Sequence, residues 1–165
     1  MTEVYVPNSD ANSADRWPEG LEIAYHMHKG MVDAEFQAYV WWYIRRSYGP
    51  MKEDGTISKR GCSMAHFSKY VRPGAVRVDV PKNPTTDVYV SAYMSDTAIT
   101  LVIVNRSTST KSVTFSVDGP AVTSYDQITT SGTKSLADDG TVSAAAGSFT
   151  VSLDAQSVTT LYGTH

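Results

Sequence analysis

A change of texture at Arg72-Pro73-Gly74 constrains the fold of this chain more than any other feature. Before it lie all three tryptophans, five of the six methionines and every glutamate; after it the chain is rich in Thr, Ser, Val and Asp. From Ala75 onward, apolar and polar residues alternate in short runs. A period of two places the apolar side chains on one face of a pleated strand. The runs 75–80, 87–94, 98–104, 112–117, 122–128, 141–144, 149–153 and 157–162 therefore read as strands. Pro81-Lys82-Asn83-Pro84, Ser95-Asp96, Asp118-Gly119-Pro120 and Asp139-Gly140 break them at turns. Short strands at this spacing predict an antiparallel β-sandwich.

The first 73 residues follow a different rule. Residues 2–6 look like the end of a strand, broken by Pro7, and a polar loop follows. The spacing then predicts a helix with Ser13 or Asp15 as N-cap and Pro18 in its first turn. Trp17, Leu21, Ala24, His28, Met31 and Val32 recur at three and four residues, which marks its buried face. Phe36 to Ile44 reads as a strand apolar on both faces, as in a parallel sheet covered on two sides. Ser58 is placed to cap a second helix over 58–71, with Met64, Phe67, Tyr70 and Val71 inward and Pro73 ending it. Strand, helix, strand, helix is the order of an α/β unit. Two such units cannot close a sheet and leave strand edges unpaired.

Composition excludes several functions. With 41% hydrophobic residues, 19% charged residues and a formal net charge of -3, the chain has no basic stripe for nucleic acid. No apolar run approaches the roughly 18–20 residues of a membrane span. Met1-Thr-Glu-Val-Tyr has neither the charged nor the apolar region of a signal peptide. Cys62 is alone, so no internal disulfide forms. His26 and His28 do not share a helix face, and His66 sits among apolar residues as a packed core histidine, so no metal site is expected.

One stretch, Val40-Trp-Trp-Tyr-Ile-Arg-Arg-Ser-Tyr48, combines aromatics with paired guanidinium groups. In an extended strand Trp42, Ile44, Arg46 and Tyr48 share one parity, while Trp41, Tyr43 and Arg45 share the other. An indole followed by a guanidinium suits an acidic sugar, because arginine grips a carboxylate bidentately. The alternative is a core of aromatics with the arginines solvated or paired to Glu53 and Asp54. Surface ion pairs are common and weak, so the pattern by itself leans to that alternative. Glu3 at a strand end and Ser9 in a turn are weaker candidates, each more often inert.

The stretches "VWWYIRRSYGPMKEDG" and "MAHFSKYVRPG" are specific, and through them residues 1–74 closely resemble the bacterial glucuronoxylanases of glycoside hydrolase family 30. The likeness continues more loosely through the β region to "AQSVTTLY". It implies an α/β plus all-β fold: the C-terminal portion of a (β/α)8 TIM barrel over 1–73, then a side antiparallel β-sandwich over 74–165. By resemblance, 36–44 is barrel strand eight and 58–71 the last helix. Glu3 matches the catalytic nucleophile ending strand seven. Arg46 and Tyr48 match the residues that hold the glucuronate, with Ser9 assisting, and Trp42 matches an aromatic of the sugar subsite.

The family hydrolyses β-1,4-xylosidic bonds with retention, directed by the glucuronic acid substituent. The resemblance thus implies a secreted, monomeric parent enzyme that acts on a polysaccharide and needs no cofactor. The acid/base glutamate comes from an earlier strand, and no glutamate here matches it; Glu35 and Glu53 are poorly placed substitutes. Cys62 and Ser63 stand where the family has an aromatic and an amide residue, and Ala75 where a tyrosine is frequent. Two rival readings are a noncatalytic carbohydrate-binding module and a family-30 glycosidase with another substrate, such as a glucosylceramide-like one.

Overall fold

The computed structural model describes residues 10–165. Two helices, α1 (Glu19–Val32) and α2 (Lys59–Ser68), precede eight strands. These are β1 (Val76–Val78), β2 (Val88–Met94), β3 (Ala98–Asn105), β4 (Lys111–Ser116), β5 (Ser124–Thr130), β6 (Ala137–Ser143), β7 (Ser148–Leu153) and β8 (Ser157–Thr164). Every alternating run from Ala75 onward becomes a strand, with ends displaced by a few residues. The strands form a six-stranded sheet in the order β1-β2-β3-β8-β5-β6 and a two-stranded sheet, β4-β7. All of these pairs are antiparallel.

The centre of the large sheet is buried from both sides, while its edge strands β1 and β6 stay largely exposed. Val90 opposes Ile103, and Ala92 opposes Leu101, which in turn opposes Leu161. These side chains pack against Val113, Phe115, Phe149, Val151 and Leu153 of the small sheet. On the reverse face, Tyr93, Val102, Val104 and Val158 meet Leu21, Ile23, Ala24 and Met27 of α1 and Phe67 of α2. That double coverage explains why all eight residues of β3 are buried. The alternation of the solvent-facing strands is clearest in β4 and β7, which bury every second residue.

Polar contacts fix the helices to this sheet. On α2, His66 is fully buried, its Nδ1 2.7 Å from Thr160 Oγ1 and its Nε2 2.9 Å from Thr130 Oγ1. On α1, Glu22 accepts from Arg106 Nη2 at 2.6 Å, and the same guanidinium lies 4.1 Å from the Tyr25 ring centre. Trp17 Nε1 donates to the Gln156 carbonyl at 2.8 Å. The packed-histidine expectation for His66 holds, and no group of three or more His, Cys, Asp or Glu converges among the described residues.

Three expectations for the first part need correction. Helix α1 starts at Glu19 with Pro18 at its N-cap and no side-chain cap, so neither Ser13 nor Asp15 plays that part. Ser13 instead donates its hydroxyl to the Asp10 carbonyl, and Asp15 Oδ1 accepts from the Lys59 backbone. Helix α2 stops at Ser68, short of 71.

The strand expected at 36–44 is absent from the described residues, which show only isolated bridges there. Phe36 turns back onto α1: its N–H donates to the Gly30 carbonyl, and its ring occupies the space a Gly30 side chain would need. A strand apolar on both faces is held by backbone partners on either side. Among the described residues no neighbouring barrel strand offers them.

Candidate functional site

The aromatic-arginine stretch runs over the N-terminal end of α2, and the reason is a tight interlock of main chains. Ser58 caps α2, its hydroxyl accepting from the Gly61 N–H at 3.1 Å. The same hydroxyl donates toward the Gly49 carbonyl at 2.7 Å, with Pro50 O at 3.1 Å. The Ser58 N–H donates to Pro50 O at 3.0 Å. Gly61 lies so close beneath this loop that a Cβ there would fall 2.1 Å from Pro50 O. Buried Arg60 adds a hydrogen bond from Nη1 to the Tyr48 carbonyl at 3.0 Å. Burial draws the pKa of this guanidinium down.

Above that base the loop reverses. The Arg46 N–H donates to Met51 O at 3.0 Å, Met51 N–H to Ile44 O at 2.8 Å, and Gly49 N–H to Arg46 O at 2.9 Å. Gly49 is needed at the reversal, since a Cβ would meet the Tyr43 and Ile44 carbonyls at 2.7 Å. The side chains then depart from strand parity. Trp42 and Tyr43 come together, ring centres 4.3 Å apart at 45°. Arg46 lays its guanidinium over Tyr43, 4.5 Å from the ring centre. Trp42, Tyr43 and Arg46 are all exposed. A guanidinium on an aromatic face keeps its outward N–H groups available while the ring holds its plane.

Tyr43 is the member that the strand-based reading missed. Extended alternation put it opposite Trp42 and Arg46; a reversal brings all three to one side. Gly49-Pro50, directly after the stretch, is the sequence signal that the chain turns there. Arg45 is engaged otherwise. Its Nε and Nη2 both donate to the Glu53 main-chain carbonyl. The expected partner residue is thus correct, though the contact goes to its backbone and not to its carboxylate. Asp54 instead accepts from the Thr56 N–H and hydroxyl, which holds its carboxyl below the usual range. Tyr48 is half-buried. Glu3 and Ser9 lie outside the described residues.

This arrangement is a tilted aromatic pair with a cation on one ring, on a loop clamped to a helix start. Chemically it can bind a flat apolar face with a negative group beside it; it contains no acid or nucleophile of its own.

Residues 74–161 match the glycosyl hydrolase family 30 beta sandwich domain. The chain belongs to glycosyl hydrolase family 30. Over 160 residues it is 54% identical to the glucuronoxylanase XynC of Bacillus subtilis (strain 168), a match that covers 97% of this chain and 38% of that enzyme. Among solved structures it resembles a family-30 endoxylanase from Clostridium papyrosolvens C71, with a TM-score of 0.91 and 33% identity. That likeness covers 100% of this chain and 41% of the endoxylanase. The subfamily 8 xylanase Xyn30A of Clostridium acetobutylicum is similar at a TM-score of 0.88 and 32% identity, over 100% and 42% of the two chains. The family-30 chain described here therefore spans well under half the length of these relatives.

Proposed function

We propose that this chain is the C-terminal part of a retaining family-30 hydrolase that cleaves β-1,4-xylosidic bonds in glucuronoxylan. In this reading residues 1–73 supply the last two βα units of a TIM barrel, and residues 74–165 its side sandwich. The observation that carries it is the exposed Trp42–Tyr43–Arg46 cluster, in a chain 54% identical to a glucuronoxylanase. Trp42 offers an indole face to a sugar ring, and Arg46 a guanidinium to the glucuronate. Tyr48 and Ser9 assist in holding that substituent, and Glu3 is the nucleophile. The 36–44 segment pairs as barrel strand eight once neighbouring strands supply backbone partners. The similarity at a TM-score of 0.91 over the whole chain is consistent with this, because such pairing asks little change of backbone path. The parent enzyme is secreted and monomeric.

Retaining hydrolysis needs two carboxyl groups about 5–5.5 Å apart, one attacking carbon and one shuttling the proton. Glu3 is one of them. The other belongs to barrel residues outside this chain, so the purified 165-residue chain is expected to release no reducing ends from glucuronoxylan. Measurable hydrolysis by the purified chain would overturn that assignment.

Joined behind the corresponding N-terminal part of the Bacillus subtilis relative, the chain is expected to restore cleavage. In that chimera Arg46→Ala should lower kcat/KM on glucuronoxylan about a hundredfold, the size expected for losing one charge-assisted bidentate contact. A mutant chimera with full activity and unchanged cut positions would remove Arg46 from the reading.

A further inference from the structure

The sheet end near the C-terminus of α2 carries a cross-strand row that the cluster at the helix start does not use. Arg77 opposes Tyr93, Tyr93 opposes Thr100, Thr100 opposes Tyr162, and Tyr162 opposes Asp126. Directly opposed residues share a sheet face, so five adjacent strands present this row on one side. It is the side that the helices cover, since Tyr93 packs in their core.

Tyr70, just beyond α2, closes over the middle of the row. Its carbonyl accepts from Thr100 Oγ1 at 3.1 Å, and its ring meets that of Tyr162 with centres 5.8 Å apart at 52°. Both rings are half-buried and keep part of their surface open. Beside them is a cavity of about 590 Å³ lined by Lys69, Tyr70, Arg72, Asp96 and Tyr162, among others. A hollow of about 690 Å³ shares Arg72 and Tyr93 with it and adds Arg77 and Glu35. Such volumes suit a few sugar units.

Charge and geometry together select the occupant. Lys69, Arg72 and Arg77 outnumber Asp96 and Glu35 around the two hollows, in a chain whose net charge is -3. Lys69 Nζ sits 5.0 Å from the Tyr70 ring centre, and Arg72 Nη1 donates to Ser68 O at 2.8 Å, so both cations are held beside the tyrosines. Aromatic faces carry partial negative charge and attract the polarised C–H groups of a pyranose, while the cations attract a carboxylate.

We infer that Tyr70, Tyr162, Lys69 and Arg72 form a second, noncatalytic surface for an acid-substituted polysaccharide. The inference rests on the polysaccharide reading given above. The two surfaces lie at opposite ends of α2, a helix about 15 Å long. Two contacts on one polymer raise its effective concentration at each, which strengthens retention without any new chemistry.

The test is amide chemical-shift mapping of the isotope-labelled chain, titrated with a glucuronate-substituted xylotetraose and separately with unsubstituted xylohexaose. Expected are shifts at Tyr70, Arg72, Thr100 and Tyr162 with the charged sugar, and weaker ones with the neutral sugar. Tyr70→Ala/Tyr162→Ala should weaken the charged ligand about tenfold at this surface. Arg72→Ala should erase the preference for the charged sugar and leave neutral binding unchanged. Shifts confined to Trp42, Tyr43 and Arg46 would overturn the second surface while upholding the proposed function. No shifts with either sugar would overturn the second surface too, and the chimera assay then decides the proposed function independently.

Discussion

Gly61→Ala is expected to destabilise the chain by about 3 kcal/mol, against the usual sign of that substitution in a helix. In an open helix, alanine stabilises by about 1 kcal/mol relative to glycine, through backbone entropy and helix propensity. At position 61 the added methyl would lie 2.1 Å from Pro50 O and 2.7 Å from Ile57 Cγ1. The Pro50 carbonyl cannot retreat cheaply, because it accepts from the Ser58 N–H while Ser58 also caps α2. The loop that carries Trp42, Tyr43 and Arg46 must lift or the cap must break. A fall in Tm of roughly 10 °C is expected, using about 2–4 °C per kcal/mol for a chain of this size. An unchanged or raised Tm would show that the interlock between the loop and α2 does not exist in solution.

Acid should begin to destabilise this protein well above the pH at which its carboxylates titrate, and His66 should be the main cause. Burial drives the His66 pKa from 6.5 to about 3 and that of His28 to about 4. His28 faces Asp33, which favours its charged form, and Lys29, Lys82 and Arg77, which oppose it. Both folded values lie below the unfolded one, so the unfolded chain binds more protons between them. Stability from these two groups is therefore complete above pH 6.5 and is lost as the pH falls. The loss continues for His28 to about pH 4 and for His66 to about pH 3. Each fully shifted histidine contributes a slope approaching about 1.4 kcal/mol per pH unit, several kcal/mol in all for His66. Urea unfolding from pH 7.5 to 4 should show this decline, and His66→Gln should flatten it while retaining bonds to Thr130 and Thr160. Parallel pH profiles for the two proteins would mean that His66 is not buried neutral in the folded chain.

Much of the β region was legible because its signals are local. Alternation and Pro, Gly and Asp turns act within a strand and its next turn, so β2, β3, β7 and β8 follow from their own residues. Ser58 was readable as a cap for the same reason, since the hydroxyl and the N–H it satisfies are three residues apart. Asp15 was misread because it resembles a cap locally; only the chain placed Lys59, 44 residues later, against it. The uniform burial of β3 was also beyond local pattern, for it depends on helices covering the face that the small sheet leaves open.

The candidate site divides the same way. The residue types in Val40–Tyr48 single the stretch out, but by themselves they lean to a core of aromatics with inert arginines; only the resemblance to family 30 turns them toward binding. Which of them act together was decided by tertiary structure. The reversal at Gly49-Pro50, held down by α2, joins Tyr43 to Trp42 and Arg46 and sends Arg45 to the Glu53 carbonyl. Strand parity holds only where neighbouring strands keep a segment extended, and among the described residues 36–44 forms no strand ladder, only isolated bridges and turn contacts. Sequence by itself thus determined the eight strands, the capped second helix and the chemistry of the stretch, through interactions short along the chain. The grouping of that chemistry and the double-sided burial of the large sheet's centre came from packing between distant segments, which no local pattern encodes.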